Sequence, residues 1–356
     1  MINVIKTYLP NIKKYYSYIQ DIYSSGILTN NGKYVQLLEK KLQDYLHVSN
    51  LLLVTNGTIA LQIAYKLLKL KGNVITTPFS FPATTSTLVW ENLIPSFFDI
   101  NKETFCLDLD VNTDYTNYSA VVPVHVFGNA CNVVNIESIA EKNNLKVIYD
   151  ASHAFGVTYN NESILKYGDI STLSFHATKL FHTIEGGAII INDPLIYEEA
   201  KYIRNFGITN LYSVEYLGIN GKMNELSAAM GLCVLDDIDY ILESRQEIYE
   251  HYHKQLKNIV VLQKIQENTN KNYYSFPIIL ESESKVLQLV ELLNSYGINP
   301  RRYFYPLLDT LPYIANTRSY PNAEFIVDRI LCLPIYPGLS KQCLDIVIKC
   351  VYEVVQ

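Results

Sequence analysis

Apolar and polar positions along the chain follow two rhythms, one of helices and one of short buried strands. Residues 11–24 and 33–47 carry helical spacing, and the link Gly26-Ile27-Leu28-Thr29-Asn30-Asn31-Gly32 between them is rich in turn formers. Leu51-Leu52-Leu53-Val54 is a continuous apolar run that stops at Thr55-Asn56-Gly57-Thr58. A helix begins there, with Ile59, Ile63, Leu67 and Leu70 along one stripe. The alternation repeats: Val74-Ile75-Thr76-Thr77 precedes a helix at 82–92, and Ile94 to Ile100 precedes a polar stretch. Ala120 to Phe127 precedes a helix at 133–144, and Lys146 to Tyr149 leads into Asp150. Ile170 to Phe175 and Ala188 to Ile191 read as two further strands. Unbroken apolar strands alternating with helices predict an α/β fold, a largely parallel sheet covered by helices on both faces. Such sheets take ligands at the carboxyl ends of their strands. Asn56-Gly57-Thr58, Phe81, His125, Asp150 and Ser174 all fall at those ends.

From Ile219 to about Lys257 the pattern is helical, with Met223, Leu226, Met230 and Val234 in register, long enough to link two domains. Strands near 258–264 and 273–280 follow, then an amphipathic helix at 284–296 built on Val286, Leu289, Val290 and Leu293. The loop from Gly297 to Pro306 and a helix at 340–354 complete a smaller α/β unit. A chain of 356 residues suits two domains, and the expected division is 1–245 for the large and 246–356 for the small.

Composition narrows the classes. Hydrophobic residues make up 49% and charged residues 18%, which supplies a large core and argues against disorder. A net charge of −6 without a basic tract argues against nucleic acid as a partner, yet leaves room for a small anionic ligand held by local donors. The stretch 1–10 lacks the basic start and apolar core of a signal peptide, and no apolar run is long enough to span a membrane. Six scattered cysteines without a C-x-x-C pair fit reduced thiols in a cytoplasmic protein. Cys343 and Cys350 share a helix face with Ile346, Val347, Val351 and Val354, which suits core packing. The histidines show no ligand spacing beyond His251 and His253, an exposed helix face, so no metal is expected.

The chemistry concentrates in Ser174-Phe175-His176-Ala177-Thr178-Lys179 and the run through Glu185-Gly186-Gly187. An amine held between two strands, beside a serine and glycines that admit another body, is what a Schiff-base site needs. The competing reading is a solvated loop lysine. Asp150 ends a buried strand, where an unpaired carboxylate is costly and should face a cation; the alternative is an aspartate capping the next turn. Asn56-Gly57-Thr58 can cradle a phosphate at a helix N-terminus or be an ordinary helix cap. If Lys179 carries pyridoxal phosphate (PLP), the pyridine nitrogen is the natural cation for Asp150.

Seven stretches occur in order: Asn56-Gly57-Thr58, Phe79 to Thr84, Pro123-Val124-His125, Asp150 to Ala154, Ser174 to Lys179, Glu185-Gly186-Gly187 and Gly218 to Leu226. Together they resemble the DegT/StrS family of nucleotide-sugar aminotransferases, across almost the whole chain. The resemblance implies a fold-type-I PLP-dependent transferase, with a mixed, mostly parallel sheet sandwiched by helices and a smaller C-terminal α/β domain. It implies that Lys179 holds the cofactor covalently and then shuttles a proton, that Asp150 binds the pyridine nitrogen, and that Phe81 stacks on the ring. Gly57, Thr58 and Ser174 are then phosphate ligands, and His153 lies beside the cofactor. Asn220 or Lys222 completes the phosphate site of a partner subunit, so the active unit is a homodimer. Arg245 and the stretch Arg204-Asn205-Phe206-Gly207 also match family positions, with a surface or structural role expected.

For the substrate side the implied residues are Thr29, His125, Tyr303 and Tyr305, and the implied substrates are L-glutamate and a nucleotide-linked keto sugar. The branch most resembled makes viosamine-type sugars, judged on Thr76 to Phe81 and Arg301 to Pro306, which favours a dTDP carrier and a 4-keto sugar. This chain departs from many relatives at Phe127, Tyr149 and Leu308, the last standing where a histidine is common. Some relatives replace the lysine by histidine and act as dehydratases; Lys179 favours transamination. The competing functions are a 3-keto-sugar aminotransferase, a PLP-dependent dehydratase and a non-catalytic PLP-binding regulator.

Overall fold

The computed structural model describes residues 2–314 and 318–356; Met1, the first residue of the expected large domain, lies outside the described residues. Seven strands form the main sheet: β1 (Leu51–Val54), β2 (Asn73–Thr76), β3 (Ile94–Phe97), β4 (Tyr118–Val122), β5 (Lys146–Asp150), β6 (Ile170–Ser174) and β7 (Gly187–Ile191). Their spatial order is β1-β7-β6-β5-β4-β2-β3. Only β7 runs against its neighbours, pairing antiparallel with β1 and β6. The sheet is therefore mixed and mostly parallel.

Strand alternation sorts the apolar runs onto two faces. Leu51, Leu53, Ile75, Val121, Tyr149, Leu173 and Ile190 enter one core, beneath α2 (Lys33–Leu46), α5 (Val133–Asn143) and α7 (Glu225–Asp236). Leu52, Val54, Val74, Val122, Ile148, Ile170 and Ile189 enter the other, beneath α3 (Gly57–Leu67), α4 (Pro82–Trp90) and α6 (Pro194–Ile203). Both faces being covered explains why these strands read as unbroken apolar runs. The remaining N-terminal helix is α1 (Ile12–Ser25).

A second sheet joins β8 (Val261–Leu262), β9 (Phe276–Ile279) and β10 (Ile330–Leu333), all antiparallel. It packs with α9 (Glu283–Ser295) and α11 (Lys341–Val355) around Phe276, Leu289, Leu293, Val347 and Val351, and Cys343 and Cys350 are buried there. The helix α8 (Ile238–Leu256) runs between the two units. Ile238 and Ile241 sit in the main core, and Ile248, Tyr252 and Leu256 in the smaller one. Ile2–Asn3 pairs in parallel with Ile298–Asn299, so the start of the chain is attached to the smaller unit. All six cysteines are free and buried. No helix among the described residues is long and apolar enough to cross a membrane.

Several expectations need correction. The single helix expected from 219 to 257 is two, and both begin later. Residues 219–224 are not helical, and the Asn224 side chain caps the start of α7 by accepting from the Ser227 N–H at 2.8 Å. A second break falls at Asp237, between α7 and α8, although the apolar register continues across it. The strand expected at 120–127 stops at Val122, where Pro123 follows; 126–128 form a single tight turn with Phe127 at φ 58°. The strand expected at 273–280 begins only at Phe276. Helices α6 and α10 (Pro321–Arg329) and strand β10 were not anticipated. The Asp193-Pro194 start of α6 was a legible cap: the carboxylate accepts from the Leu195 N–H at 2.7 Å.

Candidate active site

Where β1 ends, the chain turns into α3. The Asn56 side chain caps that helix by accepting from the Ile59 N–H at 2.8 Å. The Gly57 and Thr58 N–H groups have no protein acceptor among the described residues and point out of the helix start. A Cβ on Gly57 would lie 2.9 Å from Cβ of Ser174 at the end of β6. A Cβ on Gly187 would lie 2.6 Å from the Asn56 carbonyl carbon, so both glycines permit the close approach of β1, β6 and β7 that builds this end of the site. Free amides, the helix dipole and the Ser174 hydroxyl make an anion cradle.

Asp150 is buried at the carboxyl end of β5 and held by three donors. The Thr84 hydroxyl donates to Oδ2 at 2.8 Å; the Ser152 hydroxyl and N–H donate to Oδ1 at 2.6 and 3.2 Å. Ser80 bonds Thr84 in turn at 2.8 Å. The carboxylate is thus locked in orientation with lone-pair capacity left for a cation in the cavity.

Lys179 follows β6 in a turn closed by its own N–H donating to the His176 carbonyl at 2.8 Å. Its amine donates to the Tyr274 hydroxyl at 3.4 Å. Burial pulls its pKa down from 10.5 to about 8; Asp150 opposes the shift and Arg301 adds to it. The amine is therefore a far better nucleophile near neutral pH than a surface lysine. In the apoprotein, modification of Lys179 by an amine-directed reagent is expected to rise with pH around a midpoint of about 8, read by peptide mass spectrometry. A midpoint near 10.5, the ordinary lysine value, would remove the case for an activated amine.

His153 is buried, and its Nδ1 accepts from the Phe127 N–H at 3.3 Å, which places the ring proton on Nε2. Burial first, and the Lys179 charge second, hold its pKa well below the usual value, so the ring is neutral. Its faces are packed by Tyr274 at 4.2 Å and by Phe304 and Phe127 at 5.8 and 6.0 Å between centroids. Phe81, just ahead of α4, is 52% exposed and lines the cavity, an apolar wall left open for a flat partner.

Gly57, Thr58, Phe81, Asp150, His153, Ser174, Lys179 and Tyr303 all line one cavity of about 320 Å³. Other expected residues lie elsewhere. His125 is fully buried behind the site: its ring stacks on Tyr149 at 4.7 Å, and its Nδ1 accepts from the Cys131 N–H at 3.0 Å. Burial drives its pKa down to about 3, so it is a neutral core residue and does not reach the cavity. Thr29 is exposed in the link before α2 and is not a lining residue. Tyr305 is exposed, with the Arg302 guanidinium 4.0 Å over its ring. Asn220 is exposed, and the Lys222 amine donates to the Asn205 side chain at 2.8 Å; neither lines this chain's cavity. Arg245, expected at the surface or in a structural role, is buried and bonds the carbonyls of Tyr273 and Tyr274.

Sequence reasoning missed Tyr274 and gave no role to Arg301, His176 or Glu185, which also line the cavity. Nothing marks Tyr274 among 29 tyrosines. Arg301 begins the stretch Arg301 to Pro306, and its cationic side chain was the available signal.

The sequence profile of the DegT/DnrJ/EryC1/StrS aminotransferase family matches residues 11–352. The chain belongs to that family. A dTDP-4-amino-4,6-dideoxy-D-glucose transaminase of Shigella dysenteriae is 40% identical over 97% of this chain and 97% of its own. A protein of the same name from Escherichia coli is 37% identical, over 98% and 96%. Among solved structures, DesI in the presence of its TDP-sugar product superposes with a TM-score of 0.89 at 26% identity, covering 97% of this chain and 91% of DesI. As a DegT/DnrJ/EryC1/StrS protein the chain is an aminotransferase, and its cofactor is PLP.

The residues present fit that cofactor: an anion cradle at α3, an oriented carboxylate at β5, an open aromatic wall at Phe81 and a buried amine of lowered pKa. Bound in such a site, PLP supplies an electron sink for the carbon that loses its proton.

Proposed function

We propose that the protein transfers the amino group of L-glutamate to the 4-keto carbon of a dTDP-linked 4-keto-6-deoxyhexose. The product is a 4-amino-4,6-dideoxy sugar for polysaccharide or glycan synthesis. The observation that carries this reading is 40% identity over 97% of both chains to the Shigella transaminase, with the Lys179 amine intact in the cavity.

In this reading Gly57, Thr58 and Ser174 hold the cofactor phosphate, Asp150 keeps the pyridine nitrogen protonated, and Phe81 covers one ring face. Lys179 anchors the cofactor through Nζ and afterwards carries the proton to and from the substrate carbon. His153, kept neutral by burial, offers its Nε2 proton to an oxygen rather than a second positive charge beside the amine. Arg301 and Tyr303 give the smaller unit a cation and an aromatic ring at the cavity, suited to a carboxylate or to the diphosphate-linked sugar. The division at 245/246 fits the two apolar cores, with α8 shared between them.

The active unit in this reading is a homodimer in the cytoplasm. Asn220 and Lys222 lie away from their own chain's cavity, where a partner's phosphate could meet them. The hairpin formed by Ile208–Asn210 and Ser213–Val214 exposes Leu211 at 91% and Tyr212 at 96%, apolar surface that a second copy would cover.

The test is turnover with dTDP-4-keto-6-deoxyglucose and glutamate against the 3-keto isomer, following 2-oxoglutarate. The 4-keto sugar is expected to win by at least ~10²-fold in kcat/KM, since mismatched polar groups at a buried site discriminate on that scale. Equal rates, or preference for the 3-keto isomer, would reject the 4-keto assignment. Product formed without glutamate consumption would point to a dehydratase, and bound PLP without any turnover to a regulator.

A further inference from the structure

Residues 272–274 form a strap whose last residue, Tyr274, lines the cavity, and several buried polar groups fix it. Asn272 is 3% exposed; its amide donates to the carbonyls of His153 and Phe155 at 2.7 and 3.1 Å, and its oxygen accepts from the Tyr274 N–H at 3.1 Å. Gly128, at φ +82°, makes room for it, since a Cβ there would lie 2.4 Å from the Asn272 oxygen. Arg245, on α8 and 4% exposed, donates through Nε to the Tyr273 carbonyl at 2.9 Å and through Nη2 to the Tyr274 carbonyl at 2.5 Å. No carboxylate pairs with it among the described residues. Burying a guanidinium on carbonyls alone is costly, and burial lowers its pKa to about 10.

Tyr273, between those anchors, holds φ at 54°, a left-handed conformation that an aromatic residue rarely adopts. The result of this expense is the placement of one side chain. The Tyr274 ring lies on His153 at 4.2 Å, and its hydroxyl is 3.4 Å from the Lys179 amine. Packing on His153 needs a ring but no hydroxyl. The hydroxyl is therefore the part of Tyr274 that core filling leaves unexplained.

We propose that Tyr274 is a further catalytic residue, whose phenol oxygen holds the Lys179 amine in its working position, and that Arg245 and Asn272 are positioning residues for Tyr274. Burial raises the phenol pKa well above its usual value, so the group stays protonated and orients the amine without taking its proton. The inference rests on the reading of Lys179 as the reacting amine, but its test can be read without turnover.

The experiment compares wild type, Tyr274→Phe and Arg245→Met. First, Lys179 in the apoprotein is modified with an amine-directed reagent across pH and quantified by mass spectrometry. Second, kcat and KM are measured for both substrates on PLP-loaded protein. Removing the acceptor is expected to lower the modification midpoint by about half a pH unit, a threefold change in proton binding. Asp150, His153, His176, Glu185, Arg301 and Tyr303, the other titratable groups around the cavity, are unchanged in Tyr274→Phe. That variant should lose about tenfold in kcat with KM within twofold. Arg245→Met should show the same pattern if it folds; Tyr274→Phe decides the matter if it does not. A wild-type midpoint together with wild-type kcat in Tyr274→Phe overturns the proposal. If no variant, wild type included, transaminates, the proposed function fails, and the modification profile still judges the Tyr274 contact.

Discussion

Lys179→Ala is expected to fold normally, to remain colourless after incubation with PLP, and to lose at least ~10⁴-fold in turnover. Removing a residue that does the covalent work of a site commonly costs that much. Among the described residues Lys179 is the one lysine lining the cavity, and its pKa of about 8 leaves a useful fraction unprotonated near neutral pH. No neighbour substitutes for it: His153 is locked by its bond from Phe127, and His176 is engaged with Thr178 at 2.8 Å. The control is Lys201→Ala, an exposed lysine paired with Glu198 that does not line the cavity, which should keep both colour and activity. The measurements are an absorbance spectrum and 2-oxoglutarate formation. Residual turnover within tenfold of wild type in Lys179→Ala would remove the central assignment.

Asp150→Asn is the second large effect. The carboxylate is buried and held by Thr84 and Ser152, so substitution would keep the shape and delete the charge that keeps the pyridine nitrogen protonated. With its oxygen kept toward the two Ser152 donors, the amide places its NH2 against the Thr84 hydroxyl, which would then have to turn. A fall in kcat of ~10²–10³-fold is expected, the scale of losing one preorganised electrostatic group. PLP affinity should fall as well, measured by equilibrium titration of the apoprotein. A Ser152→Ala variant, which removes one orienting donor and leaves the charge, should lose tenfold or less. Near wild-type kcat in Asp150→Asn would show that the carboxylate does not govern the chemistry.

Much of the site was legible because its chemistry lies in contiguous stretches at strand ends. Asn56-Gly57-Thr58, Asp150 and Lys179 each sit where an apolar run stops, and a parallel sheet brings such ends to one side. The structure gathers them in one cavity with Phe81, His153, Ser174 and Tyr303. His125 also sits at a strand end, but the turn after Pro123 faces it inward onto Tyr149, and no local pattern records that. Tyr274 was illegible for the opposite reason. Its position depends on Arg245 twenty-nine residues earlier and on His153 across the cavity, contacts that only the folded chain creates. The break at Asp237 was hidden because the buried positions continue through it from α7 into α8.

The pairing of Ile2–Asn3 with Ile298–Asn299 has a practical side. The Ile2 N–H donates to the Gly297 carbonyl at 2.8 Å, and Val4 accepts from Ile335 at 3.2 Å. Residues 2–4 therefore brace the segment that continues, two residues later, into Arg301, which lines the cavity. Loosening that seam, by cleavage or by a bulky graft at residues 2–4, would reach catalysis from the far end of the sequence while leaving the seven-stranded sheet intact.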